Sequence, residues 1–187
     1  MPAQEYEKRA YTATRTVTPP VINGELDDEA WTEGNWEGDF WQYTPEEGAP
    51  VSQKTEFKLL YDDDNIYVAI KAYDTAPDSI VARMTRRDDT EGDEVSVAID
   101  SYFDQRTAFG FEVSAAGVKG DLMWIDDGLT EDDSFDPIWY VKTGIHDWGW
   151  AAEMKIPLTQ LRFSASDRQV WGFEVVREIF RHNETDF

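Results

Sequence analysis

Apolar and polar residues alternate with a period of two in most regular segments of this chain. Residues 55–61 and 66–73 both follow this pattern, and the polar run 62–65 between them holds three aspartates and an asparagine. Successive side chains of a strand point to opposite faces, so this period is typical of strands with one buried face. The spacing predicts a β-hairpin that turns at 62–65.

Several more segments alternate in the same way, whereas helical signals are confined to two short turns. One turn is predicted near 27–31 with Asp27 as its N-cap, and the other near 157–161 with Pro157 at its first position. The connections are too short for helical crossovers between parallel strands. The sequence therefore predicts an all-β fold, a two-layer antiparallel β-sandwich with short helical turns. The additional predicted strands are 95–101, 109–113, 139–145, 148–156 and 170–179.

The length of 187 residues fits one domain. Residues 1–20 are polar and contain Pro19 and Pro20, so we expect an extended N-terminal lead-in followed by a sandwich domain over 21–187. The least regular stretch is 115–138, and residues 121–137 hold seven acids and no base. We interpret 121–137 as an irregular acidic loop, either functional or mobile.

The chain is strongly acidic, with a formal net charge of −22. Such a chain repels phosphate backbones, which argues against nucleic acid as a partner. It has no cysteine, and therefore no disulfide and no thiolate metal site. Acidity combined with 8 Trp, 8 Tyr and 10 Phe suits two kinds of ligand: sugars, which stack on rings, and calcium, which takes carboxylates.

Catalytic signatures are missing from the sequence. It contains no Gly-x-Ser-x-Gly, His-Glu-x-x-His, phosphate-binding or dinucleotide-binding motif, and its two histidines are His146 and His182. A pair of carboxylates could serve a glycosidase, but 39 acids offer so many pairs that none counts as evidence. We therefore predict that the chain is not an enzyme.

Three groups of carboxylates could bind calcium through loop oxygens. One is the turn 62–65, another is the 121–137 stretch, and the third joins Asp74, at the end of one strand, to Asp93 and Glu94, at the start of another. We favour Asp74, Asp93 and Glu94 as metal ligands because strand ends hold side chains more rigidly than a long loop. The alternative for this group is surface charge paired with Arg86 and Arg87.

Tryptophans outside the strongest strands are candidates for stacking on a sugar ring. Trp124 and Trp139 bracket the acidic stretch, and Trp41 lies in the irregular segment 32–50. We predict Trp124 and Trp139 as ligand-binding rings, with Trp41 as a third. The alternative for Trp139 is that it faces inward as part of its strand, and Trp31 and Trp171 are assigned to the core.

Several motifs together resemble family 9 carbohydrate-binding modules and their relatives. Three of them resemble the opening, the central hairpin and a late strand of that family: INGELDDEAW at 22–31, LYDDDNIYVA at 60–69 and WAAEMKIP at 150–157. Others are similar to one subgroup of the family, and the resemblance covers about residues 11–187. The subgroup motifs are RRD at 86–88, DSYFDQRTAF at 100–109, LRF at 161–163, WGFE at 171–174 and REIFRHNE at 177–184.

The resemblance implies a β-sandwich, bound structural calcium and, in well-understood members, a slot between tryptophans that holds a sugar chain end. Members of the subgroup are N-terminal modules of long exported proteins of Gram-negative bacteria, which continue into an outer-membrane β-barrel. We therefore expect an exported protein of the periplasm or outer membrane. Residues 1–20 contain no apolar signal region, so we expect this chain to be an excised module.

Two functions are consistent with these observations. The first is a non-catalytic carbohydrate-binding module for a poly- or oligosaccharide. The second is a structural or docking domain that packs on or gates an outer-membrane β-barrel or a partner protein without binding sugar.

Overall fold

A computed structural model describes residues 9–187 as two β-sheets packed face to face, so residues 1–8 of the predicted lead-in lie outside the described part. The five-stranded sheet has the order β1-β3-β4-β10-β9, and the seven-stranded sheet has the order β2-β12-β11-β5-β6-β7-β8. The strands are β1 Thr14–Arg15, β2 Gln42–Thr44, β3 Thr55–Tyr61, β4 Asn65–Tyr73, β5 Glu94–Asp100, β6 Ala108–Ser114, β7 Lys119–Ile125, β8 Thr130–Asp132, β9 Tyr140–His146, β10 Gly149–Pro157, β11 Gly172–Ile179 and β12 Glu184–Asp186.

The pairing confirms the predicted β-sandwich and its two hairpins, β3–β4 and β9–β10. The strand pairs are antiparallel except that of β1 with β3, in which Thr14 lies opposite Leu60 in parallel orientation. The chain between β1 and β3 is long enough to return in the same direction, which a parallel pair requires. Part of the predicted lead-in is therefore an edge strand of the five-stranded sheet.

The core is formed by the inward positions of both sheets. Val68 and Ile70 on β4 face it from the five-stranded sheet, and Val97 on β5 and Phe111 on β6 face it from the other. Trp150, on β10, is fully buried among them. Each such side chain contributes about 1.5–3 kcal/mol by leaving water. The two alternating patterns thus supply the two inner faces of the sandwich.

Within residues 9–187, helical structure is limited to single 3₁₀ turns, and two of them lie where they were predicted. In the first, Asp28 rather than Asp27 is the N-cap, because its side chain accepts from the backbone N–H of Ala30. This turn places Trp31, 4% exposed, on the outer side of the five-stranded sheet, confirming it as a core residue. The described residues contain no helix long and apolar enough to cross a membrane. The 3₁₀ turns are Glu29–Thr32, Pro77–Ser79, Leu158–Gln160 and Phe180–His182.

The prediction of an irregular loop over 121–137 is wrong for most of its length. Strand β7 continues to Ile125 and pairs with β8, so this stretch contains a β-hairpin. The alternation was hidden because Asp121 faces inward, where it is only 4% exposed. Arg87 Nη2 donates to Oδ2 of Asp121 at 2.7 Å, and Trp139 Nε1 donates to the same oxygen at 3.0 Å. A carboxylate satisfied in this way can occupy an inward strand position.

Candidate functional site

Small side chains cover the middle of the outer face of the seven-stranded sheet. Val95, Val97 and Ile99 of β5 point into the core, which turns Ser96 and Ala98 outward. On the neighbouring strand, Gly110 lies opposite Ala98. Because these residues are short, the sheet surface forms a low floor that taller side chains can surround.

A cleft of about 750 Å³ lies over this floor. It is bounded by aromatic side chains from distant parts of the chain and by carboxylates from β5, β6 and β11. The residues used below are all part of its lining: Tyr43, Glu94, Asp100, Arg106, Glu112, Trp124, Asp127, Glu174, Glu178 and Phe187.

Trp124 forms one wall of the cleft. It lies on β7 opposite Ala108, and its half-buried indole extends over Gly110 on the neighbouring strand. A Cβ atom at Gly110 would stand 2.7 Å from Cζ3 of the ring, so only glycine leaves room for it. Trp124 Nε1 donates to Oε1 of Glu131 on β8 at 3.3 Å. The ring is thus supported from below and at its edge, and it lines the cleft. Its role as a stacking residue stays a prediction.

Tyr43 and Phe187 form the opposite wall, and sequence reasoning missed both. Their ring centroids are 5.3 Å apart at a near-perpendicular angle, and Tyr43 is 52% exposed. Trp41, the predicted third ring, packs against Phe187 with a centroid distance of 5.8 Å and supports this wall from behind. The two walls rise from opposite sides of the sheet, because strands β11, β5 and β6 lie between β12 and β7.

Carboxylates stand between the walls. Glu178 on β11 lies directly opposite Glu94 on β5, and Glu112 on β6 lies opposite Ser96. Burial, reinforced by repulsion from Glu94 and Glu178, raises the pKa of Glu112 to about 7. The floor of the cleft is therefore acidic, with its negative charges held close together.

The structure does not support Trp139 as a ligand-binding ring. It is 2% exposed and packs edge-on against Phe111 in the core, with its Nε1 on Asp121. A ring so placed has no face available to a ligand. The alternative reading of the sequence, in which Trp139 faces inward, is the one the structure shows.

The predicted calcium ligands are divided between two environments. Asp74 and Asp93 lie close enough for their charges to interact, as expected from adjacent strand ends. However, both carboxylate oxygens of Asp74 accept hydrogen bonds from the guanidinium of Arg181, at 2.6 and 2.8 Å. Glu94 points outward into the cleft. Within residues 9–187, no group of three or more His, Asp or Glu side chains is arranged to hold a metal ion. These three residues therefore do not fit a shared calcium ion, and calcium binding stays a prediction of the resemblance.

Comparison with known proteins agrees with this architecture. A family model described as "Carbohydrate family 9 binding domain-like" matches residues 22–184. The chain thus belongs to the carbohydrate-binding-module family 9-like domains, the family its motifs resemble. Such domains are non-catalytic binding modules, in agreement with the prediction that the chain is not an enzyme. None of the curated proteins compared matches the chain in sequence.

Solved structures show the same fold. A family 9 module from Caldicellulosiruptor kristjanssonii in complex with glucose superposes with a TM-score of 0.66 and 22% identity, covering 96% of this chain and 84% of that one. A family 9 module from the same organism in complex with cellotriose gives a TM-score of 0.62 at 21% identity, covering 93% and 81% of the two chains. At these identities the likeness establishes the sandwich fold.

Proposed function

We propose that this domain binds an oligosaccharide in the cleft on the outer face of its seven-stranded sheet. The observation that carries the proposal is the placement of Trp124, a half-buried indole held over Gly110 with one side facing the cleft. Membership of a family of carbohydrate-binding modules, with fold neighbours solved in complex with glucose and cellotriose, supports it.

The chemistry of the cleft matches that of a sugar. The apolar C–H face of a pyranose ring packs on an indole, and its hydroxyls donate to carboxylates, which form stronger hydrogen bonds than neutral acceptors. Trp124 supplies the ring, and Glu112 and Glu174 supply acceptors on the floor. Because three strands, each about 5 Å from the next, lie between the strands that carry the aromatic walls, the cleft suits several linked sugars better than a single one.

Tryptophan fluorescence during titration with cellotriose tests this proposal. A sugar that stacks on Trp124 should shift or quench the emission, and the change should disappear in Trp124→Ala. Trp148→Ala is the matched control, because Trp148 is also half-buried but packs against Tyr73 and His146 on the other sheet. The control variant should still show the change in emission when cellotriose is added.

A panel of neutral, acidic and amino oligosaccharides extends the same titration. If no member changes the emission or the melting temperature, the cleft does not bind sugar. That result would favour the alternative function, a structural or docking domain that packs on a partner protein or gates a β-barrel.

The proposal includes an extracytoplasmic setting. The motifs shared with the subgroup of exported Gram-negative proteins support a location in the periplasm or outer membrane, next to a C-terminal outer-membrane β-barrel. Fractionation of the native bacterium with an antibody against this domain tests the location. Recovery in the cytoplasmic fraction would overturn it.

A further inference from the structure

The charge lining the cleft is unbalanced. Among the residues that the structure describes, six carboxylates and one base, Arg106, line it. The guanidinium of Arg106 is already engaged, because its Nε donates to Oδ1 of Asp127 at 3.1 Å. Asp100 is also satisfied, since both of its oxygens accept backbone N–H groups of the following turn. The remaining carboxylates are Glu94, Glu112, Glu174 and Glu178.

These glutamates differ from two inward-facing acids of the same chain. Asp74 is paired with Arg181, and Asp121 is paired with Arg87. In the described part of the chain, Glu112, Glu174 and Glu178 form no ion pair with a Lys or Arg side chain. These three cleft acids thus lie near one another without a cation paired to any of them.

The register makes this arrangement costly to the free protein. Glu94 and Glu178 are directly opposite one another on adjacent strands, a position in which like charges destabilise a sheet. Glu112 lies one strand further on and adds a third carboxylate. A positive charge held between them would remove this repulsion, and a ligand can supply it.

We infer that the cleft is selective for an amine-bearing oligosaccharide, in which a protonated sugar amine lies between Glu112 and Glu178 while a sugar ring stacks on Trp124. This inference rests on the proposed carbohydrate binding and specifies its substrate class. An ammonium group donates charge-assisted hydrogen bonds to carboxylates and is also attracted to the face of an indole. One ligand class therefore satisfies both the rings and the acids of the cleft.

The titration of Glu112 agrees with this placement. The charged groups whose repulsion acts on it are all acids: Glu94 on β5, Glu178 on β11, Glu131 on β8 and, from the inner face of the sheet, Asp121 on β7. Burial and these charges raise the pKa of Glu112 to about 7. A bound ammonium lowers this pKa again, so binding slightly below neutral pH should release a proton.

Three β-1,4-linked trisaccharides of equal length test the inference by calorimetry at mildly acidic pH, below the pKa of a sugar amine, so that the amines are charged before binding. They are the trimers of glucosamine, of N-acetylglucosamine and of glucose. The glucosamine trimer should bind about tenfold more tightly than cellotriose at low salt. This advantage should shrink with added salt, because screening weakens the interaction between charges. The glucosamine trimer should also release a proton, seen as a dependence of the measured enthalpy on the buffer.

Two variants separate the contributions of charge and ring. Glu112→Gln combined with Glu178→Gln should reduce the ratio of the two affinities, glucosamine trimer over cellotriose, to about one. Trp124→Ala should weaken binding of both sugars. Spermidine tests for charge alone, since it carries amines without a sugar ring, and it should compete poorly.

The outcomes distinguish this inference from the proposed function on which it rests. Equal or tighter binding of cellotriose overturns the amine preference and leaves carbohydrate binding intact. Failure of all three sugars and of the wider oligosaccharide panel to bind overturns the proposed function itself. Competition by spermidine as strong as that by the glucosamine trimer also overturns the inference, because the cleft would then select charge without sugar.

Discussion

The indole of Trp124 lies over Gly110 so closely that a Cβ atom added to the glycine would stand 2.7 Å from Cζ3 of the ring. Gly110 belongs to β6 and Trp124 to β7, at diagonal positions on the outer face of the sheet. The missing side chain at Gly110 therefore sets the height of the ring above the floor. A stacking surface of this kind depends on a residue that need not touch the ligand.

Gly110→Ala should displace Trp124 and weaken sugar binding about tenfold, with a loss of about 1–3 kcal/mol in stability from overpacking. Gly38→Ala is the matched control, since Gly38 lies outside the cleft lining and a Cβ there would come no closer than 3.1 Å to another atom. Trp124 and the carboxylates of the cleft stay in place in this variant. Fluorescence titration and urea unfolding measure the two effects, and normal sugar affinity in Gly110→Ala would contradict this role of the glycine.

Trp124→Ala and Trp139→Ala should behave in opposite ways. The half-buried ring of Trp124 contributes to the cleft, so its loss should abolish sugar binding and change the free energy of unfolding by about 1 kcal/mol. Trp139 is 2% exposed, and its loss should cost about 3–5 kcal/mol. Thermal melting with sugar titration separates the two variants. Unfolding of Trp124→Ala would assign that residue to the core.

Glu112→Gln should change how stability depends on pH. The pKa of Glu112 is about 7 in the folded domain, raised by burial and by neighbouring acids from an ordinary 4.5. Between these values the folded domain holds more of this proton than the unfolded chain, so this group's contribution to stability falls as pH rises. The difference in free energy of unfolding between Glu112→Gln and the parent domain should therefore change with pH. It should shift in favour of the variant by about 1–2 kcal/mol from acidic to mildly basic pH.

Urea unfolding of the parent domain and of Glu112→Gln, at acidic and at mildly basic pH, measures this difference in the free energy of unfolding. Glu46→Gln is the control, because Glu46 is exposed in a loop beyond β2, outside the cleft lining. Its difference from the parent domain should be the same at both pH values. A constant difference for Glu112→Gln as well would show that Glu112 titrates normally.

Asp74→Asn should destabilise the domain by about 2–4 kcal/mol, because it leaves Arg181 without its bidentate partner. The loss should be equal in calcium and in chelator, since Arg181 occupies the oxygens that a metal ion would need. Urea unfolding of both proteins under both conditions measures this. A loss of stability that occurs only in calcium-containing buffer would contradict this prediction and support a metal site at Asp74, Asp93 and Glu94.

The fold could be predicted where a strand buries one face and exposes the other. The β3–β4 hairpin follows from alternation over 55–61 and 66–73, and Asp62 accepts from backbone N–H groups within the turn, as a turn aspartate does. The same rule failed at β7, where the inward Asp121 interrupts the pattern. Its partners Arg87 and Trp139 are distant in sequence, so nothing local indicates that this carboxylate is satisfied.

Alternation and composition along the chain account for the sandwich, the acidity and the supply of aromatic rings. Strand pairing selects which rings and which acids come together. Trp124 could be proposed from composition, but Phe187 and Tyr43 face it only because β12 joins β2 to the edge of the sheet formed by β11 and β5. Glu94, Glu112 and Glu178 occupy polar strand positions that look like any solvent-facing surface. Strand pairing places them side by side, because register acts between segments that are far apart along the chain.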